Sequence, residues 1–246
     1  MSDRYSFIVD YFDPQASITR QYQLLYFRND SSVEMYDLKN KRMFLKRCQY
    51  PSLSLKELFV GASVSIHSRL LKIIDYGDAA TRNAFSMKNE SICIIVHGKS
   101  LFSVGGIIDK ITASDMRILN FRLCEFARAA ASELGVSPRC YVIEIVGGDV
   151  GNKTEKIIAG AGDVAVFSEQ ADIELLRSIA FSSAQSTATL ENCAVCVIKP
   201  HAIASNQGGK ILQRIIDEGF DITALTQATM SLADSEDFLE VYKGVV

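Results

Sequence analysis

The chain has 246 residues, 48% hydrophobic and 22% charged, ordinary globular usage that argues against disorder and low complexity. Its 26 basic and 29 acidic residues leave a net charge of −3, which supplies no cationic field for nucleic acid or an anionic membrane, so neither is expected as a partner. No apolar run approaches the ~18 residues of a bilayer-crossing helix. The longest is Ile92–Val96, and Met1–Tyr5 has no signal-peptide character, so a soluble cytosolic chain with six reduced cysteines is expected.

Residues 1 to about 78 read as β-rich. Phe7-Ile8-Val9, Gln21–Phe27, Ser32–Asp37, Met43–Arg47 and Val64–Ile74 are runs of aromatic and branched residues, separated by turn formers at Asp13-Pro14, Asn29-Asp30-Ser31, Lys39-Asn40 and Gly61. Polar and apolar residues largely alternate in the second and third runs, the pattern of half-buried antiparallel strands. The basic stretch from Lys39 to Arg47 is interrupted by Met43, Phe44 and Leu45, and reads as a strand pair with solvated basic positions. Leu53–Val60 is a helical turn. Ala79–Glu90, small, polar and without periodicity, reads as a linker.

The remainder contains an internal repeat: Ile92–Leu119 aligns without gaps on Val195–Ile222 at a spacing of 103 residues. Cys93 meets Cys196, Ile95 meets Ile198, Gly105 and Gly106 meet Gly208 and Gly209, and Ile108 meets Ile211. Each copy runs apolar strand, polar loop, Gly-Gly, amphipathic helix, second strand. Cys193–Ile198 is apolar on both faces, as a covered central strand would be. In the helix after Gly208, the residues Ile211, Leu212, Ile215 and Ile216 form one stripe. Gly219 suits the left-handed helix stop, with Phe220 folding back onto it.

Asp221–Gln227 reads as another strand, and Ser231 with Asp234 resembles a capping box for a helix burying Phe238, Leu239 and Tyr242. The first copy continues with a helix at Phe126–Leu134, a strand at Cys140–Val146 and a helix at about Ala171–Phe181. Helices on one face of such a sheet fit a ferredoxin-like sandwich. Ser182–Glu191 reads as a second linker. The fold class is therefore α+β: a β-rich N-terminal module, then ferredoxin-like α/β sandwich domains, the last incomplete.

Among candidate chemical groups, Cys193-Ala194-Val195-Cys196 has the spacing of redox and zinc sites. Inside a strand, residues three apart face opposite ways, so core packing is expected and no metal site. His67, His97 and His201 lack the partners of a triad or a zinc site. Gly147–Gly151 and Gly160-Ala161-Gly162 lack the spacing of phosphate-binding loops and read as plain loops. Lys199-Pro200-His201 places an ammonium at a strand's carboxyl end beside a Gly-Gly helix entry, where a phosphate would be met.

Val195–Pro200, Gly209–Phe220 and the capping-box helix resemble the opening of a nucleoside diphosphate kinase domain. Tyr22–Phe27, Ser32–Asp37, Phe44-Leu45-Lys46-Arg47, Ile74–Asp78 and Thr81 resemble the DM-ten module of axonemal proteins. One DM-ten module at 1–90, a degenerate kinase-like domain at 91–186 and a truncated one at 187–246 resemble the nucleoside diphosphate kinase homologue seven family, as does the ending Glu240–Val246.

Kinases of this kind carry phosphate on a histidine in an Asn-x-x-x-His-Gly-Ser-Asp-like stretch. The matching segment of the first copy, Asp163–Ser168, has no histidine; its lysine position is Val96, and Pro-Asp has become His97-Gly98. The second copy keeps Lys199 and has His201 at the aspartate position. The resemblance thus implies no catalytic residue, no cofactor, and at most a nucleotide-binding remnant at Lys199. It implies a non-catalytic structural component of ciliary or flagellar axonemal doublet microtubules, a microtubule inner protein of the cytoskeleton. The implied partners are tubulin, neighbouring axonemal proteins and, in some members, the γ-tubulin complex. The alternative is a nucleoside diphosphate kinase or nucleotide binder, using Mg-nucleotide, whose second domain another chain completes.

Overall fold

The computed structural model describes residues 4–86, 90–182, 185–230 and 232–242. They fall into two compact units, Met1–Met87 with Ala228–Val246, and Lys88–Gln227. Among the described residues no helix is long and apolar enough to cross a membrane.

The N-terminal unit is built on an antiparallel sheet of β1 (Arg4–Asp13), β2 (Ile18–Phe27), β3 (Ser32–Asp37), β4 (Arg42–Gln49), β5 (Ser63–Ile66) and β6 (Arg69–Tyr76), in the order β4-β3-β2-β1-β6-β5. Alternation decides which side is inside: Phe7 and Val9, Leu24, Val33 and Met35, and Leu71 and Ile73 are buried along successive strands. The run Val64–Ile74 is two strands rather than one. His67 and Ser68 both take left-handed backbone, at φ 47° and 63°, as a tight two-residue hairpin turn requires.

The expected linker at Ala79–Glu90 is instead a helix, α1 (Ala79–Ser86). The Asp78 carboxylate accepts from Thr81 N at 2.6 Å, and the Thr81 hydroxyl accepts from Ser6 N at 2.9 Å. Phe85 meets Tyr5 and Phe7 edge-on, with ring centroids 4.9 and 5.4 Å apart. Tertiary contact, not periodicity, holds this helix.

The second unit carries a four-stranded antiparallel sheet of β7 (Glu90–His97), β8 (Arg117–Glu125), β9 (Arg139–Gly147) and β10 (Val164–Phe167), in the order β10-β7-β9-β8. Counted within the unit, the strands stand fourth, first, third, second, which is the ferredoxin-like order. Helices cover both faces, correcting the one-face expectation. Ile92, Ile94 and Val96 of β7 pack with Ile107, Ile108 and Ile111 of α2 (Val104–Ala113) and Val150 of α4 (Val150–Ile158). Cys93 and Ile95 point the other way, to Ala131 of α3 (Arg128–Glu133) and Ile173 and Leu176 of α5 (Gln170–Leu176), which continues as a π-helical turn, Arg177–Ser182. Helix α4 occupies part of what reads as a glycine-rich loop, with Asp149 entering it in left-handed backbone at φ 55°.

The second copy of the repeat folds only in part. Helix α7 (Gly208–Asp217) forms as expected and lies directly on α2. A Cβ on Gly105 would come within 2.5 Å of the Gly209 carbonyl oxygen, and one on Gly209 within 2.5 Å of the Gly105 carbonyl oxygen. Backbone thus meets backbone, a distance that only glycine permits. Gln213, one turn beyond Gly209, accepts from Gly106 N at 3.2 Å and donates to Phe102 O at 2.8 Å. It supplies the N-terminal cap that Ser103 does not give α2.

Past Gly219, Arg139 holds the chain by donating to Asp221 Oδ1 at 2.8 Å and Ile222 O at 2.7 Å. Leu123 N then donates to Leu225 O and Gln227 N to Phe121 O, so this segment covers the outer edge of β8. Its contact with β8 is a single bridge rather than the expected strand Asp221–Gln227. Like elements of the two copies therefore pair with each other: first helix on first helix, second strand beside second segment.

Cys193–Ile198 is not a strand. Val195 is 88% and Val197 53% exposed, against near-complete burial of their counterparts Ile92 and Ile94. The physical reason is pairing: β7 lies between β9 and β10, whereas among the described residues no strand flanks 193–198. Cys193 and Cys196 are exposed as a result, which overturns their expected core packing. Phe220 is 65% exposed rather than folded back, although its N–H still closes the helix onto Ile215 O. Phe238, the last residue of α8 (Leu232–Phe238), and Leu239 after it are about half exposed rather than buried. Ser231 and the side chain of Tyr242 lie outside the described residues.

Burial raises the Cys93 and Cys140 thiols to about 12 and Cys124 to about 11. At pH 8 these three stay protonated and covered. Alkylation of the native protein with iodoacetamide, read by peptide mass spectrometry, should therefore mark the exposed Cys193 and Cys196 first and reach Cys93, Cys124 and Cys140 only after denaturation. Comparable native labelling at Cys93 would contradict the two-faced burial of β7.

Candidate functional site

The sequence places its candidate chemistry at two equivalent points: the end of β7, and the end of the segment that repeats it. At the first, Val96 is fully buried in the core and offers no charge. His97, next along, is held by Ser137, whose N–H meets Nδ1 at 3.3 Å. The turn after His97 is filled by Asp163. Its carboxylate accepts from Lys99 N at 2.7 Å, its carbonyl accepts from His97 N, and its own N–H donates to the Ser100 hydroxyl at 3.2 Å. A carboxylate locked here repels a phosphate.

The segment compared with a histidine-bearing stretch, Asp163–Ser168, contains edge strand β10. Val164, Ala165, Val166 and Phe167 pair with Val96, Ile95, Ile94 and Cys93. No side chain in it is a phosphate acceptor of the histidine type.

At the second point, Lys199 is exposed and stands at the N-cap of the short helix α6 (Pro200–Ala204). Its carbonyl accepts from Ala202 N and Ile203 N, while its ammonium meets no side-chain partner among the described residues. His201 is also exposed. Among the described residues no hydrogen bond or ion pair joins the Lys199 ammonium to another side chain, so it stands there as one charge without the clamps phosphoryl transfer uses. Among the described residues no three His, Cys, Asp or Glu side chains stand together as a metal site.

One polar constellation escapes a reading of the sequence. Glu144, fully buried on β9, accepts from Ser91 Oγ at 3.1 Å, Asn120 Nδ2 at 2.6 Å and Arg177 Nε at 2.9 Å, with Arg177 Nη2 also in contact. Its partners lie 53, 24 and 33 residues away, so no local motif announces it. The hydrogen bonds to Glu144 raise the Arg177 guanidinium further above its ordinary value. This set pins the π-helical turn to the sheet. Four groups satisfying one another leave no vacant valence for a substrate, and the cluster is structural.

Two features thus define the class: an N-terminal all-antiparallel module with a closing helix, and a ferredoxin-like unit whose strand–Gly-Gly–helix opening recurs downstream as the Gly-Gly-led helix α7. Residues 1–87 match the family described as the Nucleoside diphosphate kinase 7 N-terminal PH domain. The chain is 33% identical to the nucleoside diphosphate kinase homolog 7 of Rattus norvegicus and 32% identical to that of Mus musculus. Each alignment takes in 100% of this chain and 73% of the relative. The chain belongs to the nucleoside diphosphate kinase homolog 7 family. The alignments run over 289 residues against 246 here, so at least 43 aligned positions have no counterpart in this chain.

Arg177→Met would leave the Glu144 carboxylate buried with only neutral donors. Breaking a fully buried pair costs about 3–5 kcal/mol. Because the Arg177 side chain is 41% exposed, the expected loss is about 2–3 kcal/mol by urea unfolding. A loss below about 0.5 kcal/mol would show that Ser91 and Asn120 suffice.

Proposed function

We propose that this chain is a non-catalytic structural component of ciliary or flagellar axonemal doublet microtubules, a microtubule inner protein that binds tubulin and neighbouring axonemal proteins. The observation that carries the reading is the missing nucleophile: the stretch Asp163–Ser168, which resembles the histidine-bearing segment of the kinases, has no histidine and forms an edge strand. Phosphoryl transfer through an enzyme phosphohistidine needs that nucleophile and several cationic clamps. Buried Val96 at the lysine position and the Asp163 carboxylate beside it argue in the same direction. No cofactor enters this reading, and its location is the axonemal cytoskeleton. Association with the γ-tubulin complex follows from the same family resemblance.

A second reading, a nucleotide-binding remnant, is favoured by the ammonium of Lys199, which has no side-chain partner among the described residues. It would require Mg-nucleotide and cationic groups brought by another chain.

Isolated axonemes extracted with high salt and analysed by mass spectrometry test the first reading. Retention on the doublets is expected, because screening releases proteins held by surface charge alone. Release into the soluble fraction, together with nucleotide affinity lost in Lys199→Ala, would favour the second.

A further inference from the structure

At one end of the N-terminal sheet, where the β1–β2 and β3–β4 hairpins and the start of β6 converge, lies a cavity of about 400 Å³. Aromatic rings make part of its wall: Tyr11 from β1, Tyr22 from β2 and Phe44 from β4, with Tyr22 and Phe44 in contact at 4.4 Å between centroids. Three guanidinium groups face it, from Arg20, Arg42 and Arg69, together with the carboxylates of Asp13 and Asp37.

Both carboxylates are already committed. Asp13 accepts from Arg20 Nε at 3.0 Å and from the N–H groups of Gln15 and Ala16 in its own turn. Asp37 accepts from Asn40 N at 2.8 Å and Asn40 Nδ2 at 2.7 Å. Arg20 for the first, and the backbone N–H of Asn40 for the second, hold these acids below the usual carboxylate range, so both are ionised at neutral pH.

Arg42 and Arg69 are different, for neither forms an ion pair among the described residues. The Arg69 guanidinium sits 5.3 Å from the Phe44 ring centroid and 5.9 Å from that of Tyr11, and its one hydrogen bond is a long one, Nη1 to His67 O at 3.5 Å. A guanidinium oriented by aromatic faces, with most of its donors unclaimed, is set up for a planar acid. The Tyr22 hydroxyl likewise has no hydrogen-bond partner among the described residues.

Charge arithmetic selects the ligand. Three cations and two fixed carboxylates leave the lining with one net positive charge. A carboxylate, at −1, neutralises it. A phosphate monoester, at about −1.5 to −2, overshoots and meets the repulsion of Asp13 and Asp37. Beside the cavity the surface is apolar: Phe44 is 38% exposed, and Ile18, two residues before Arg20 on the same face of β2, is 42% exposed.

We propose that this cavity is a docking site for an acidic segment of a partner protein, binding one aspartate or glutamate carboxylate on Arg69 and Arg42 while flanking apolar residues cover Phe44 and Ile18. The site stands on the N-terminal unit alone and goes beyond the axonemal reading, which can fail without it.

The test is an NMR titration of the full-length ¹⁵N-labelled protein with the capped peptide acetyl-Leu-Glu-Leu-amide. Saturable shifts at Tyr11, Tyr22, Phe44 and Arg69 are expected, with affinity reduced at least tenfold for acetyl-Leu-Gln-Leu-amide. Arg69→Gln should weaken binding at least tenfold, and so should Arg42→Gln, whose exposed side chain lies outside the folded core. Arg82→Gln, altering an exposed arginine paired with Asp75 elsewhere, should change binding less than twofold. Equal binding of the two peptides, or no saturable binding, would overturn the proposal. So would tighter binding of inorganic phosphate or of phosphatidylserine vesicles, which would assign the cavity to a phosphate-bearing ligand or a membrane.

Discussion

The seating of the repeat's second copy on the second unit depends on one contact, the crossing of α2 and α7 at Gly105 and Gly209. Each glycine's missing Cβ is the space occupied by the other's carbonyl oxygen. Any side chain there forces the helices apart, and with them the interactions that rely on their closeness. Gln213 reaches the first turn of α2 only because the axes are near, and Arg139 meets Asp221 only because the chain leaves α7 close to the sheet. The same path brings Leu225 and Gln227 onto the edge of β8. The contact is also reciprocal: Asp109 stands one turn beyond Gly105 as Gln213 stands one turn beyond Gly209. A repeat in sequence thus becomes an interface in structure.

Much of this was legible from residues and some was not. The alternating strands of the N-terminal module and the Gly-Gly-led helices follow from local periodicity, which the structure keeps. Helix α1 was illegible because Phe85 and Thr81 acquire their partners, Tyr5, Phe7 and Ser6, only after the sheet has formed. Helix α4 was hidden by flanking glycines. The segment 193–198 shows the opposite failure. Its composition matches β7, yet a strand apolar on both faces is stable only between neighbours, and the sequence pattern does not record whether those neighbours exist. The same reason exposed Cys193 and Cys196. Of the candidate site, the loss of the histidine and of the first lysine could be read directly, whereas Asp163 filling the turn and the Glu144 cluster could not, since both join residues distant along the chain.

The polar chemistry of the two units differs in kind. In the second unit, charged and polar groups are spent inward: Glu144 on Ser91, Asn120 and Arg177, and Asp163 on the turn after β7. Among the described residues the Lys199 ammonium has no side-chain partner. In the N-terminal unit, Arg42 and Arg69 face a cavity with donors to spare.

The dependence on the glycine crossing is tested most directly by hydrogen exchange with mass spectrometry on the native protein and on Gly209→Val. The structure requires that amide protection across 208–217 and at 225–227 collapse in the variant while β7 and β9 keep theirs. Unchanged protection of α7 would mean that the helix is held by something other than its contact with Gly105, and would contradict the account.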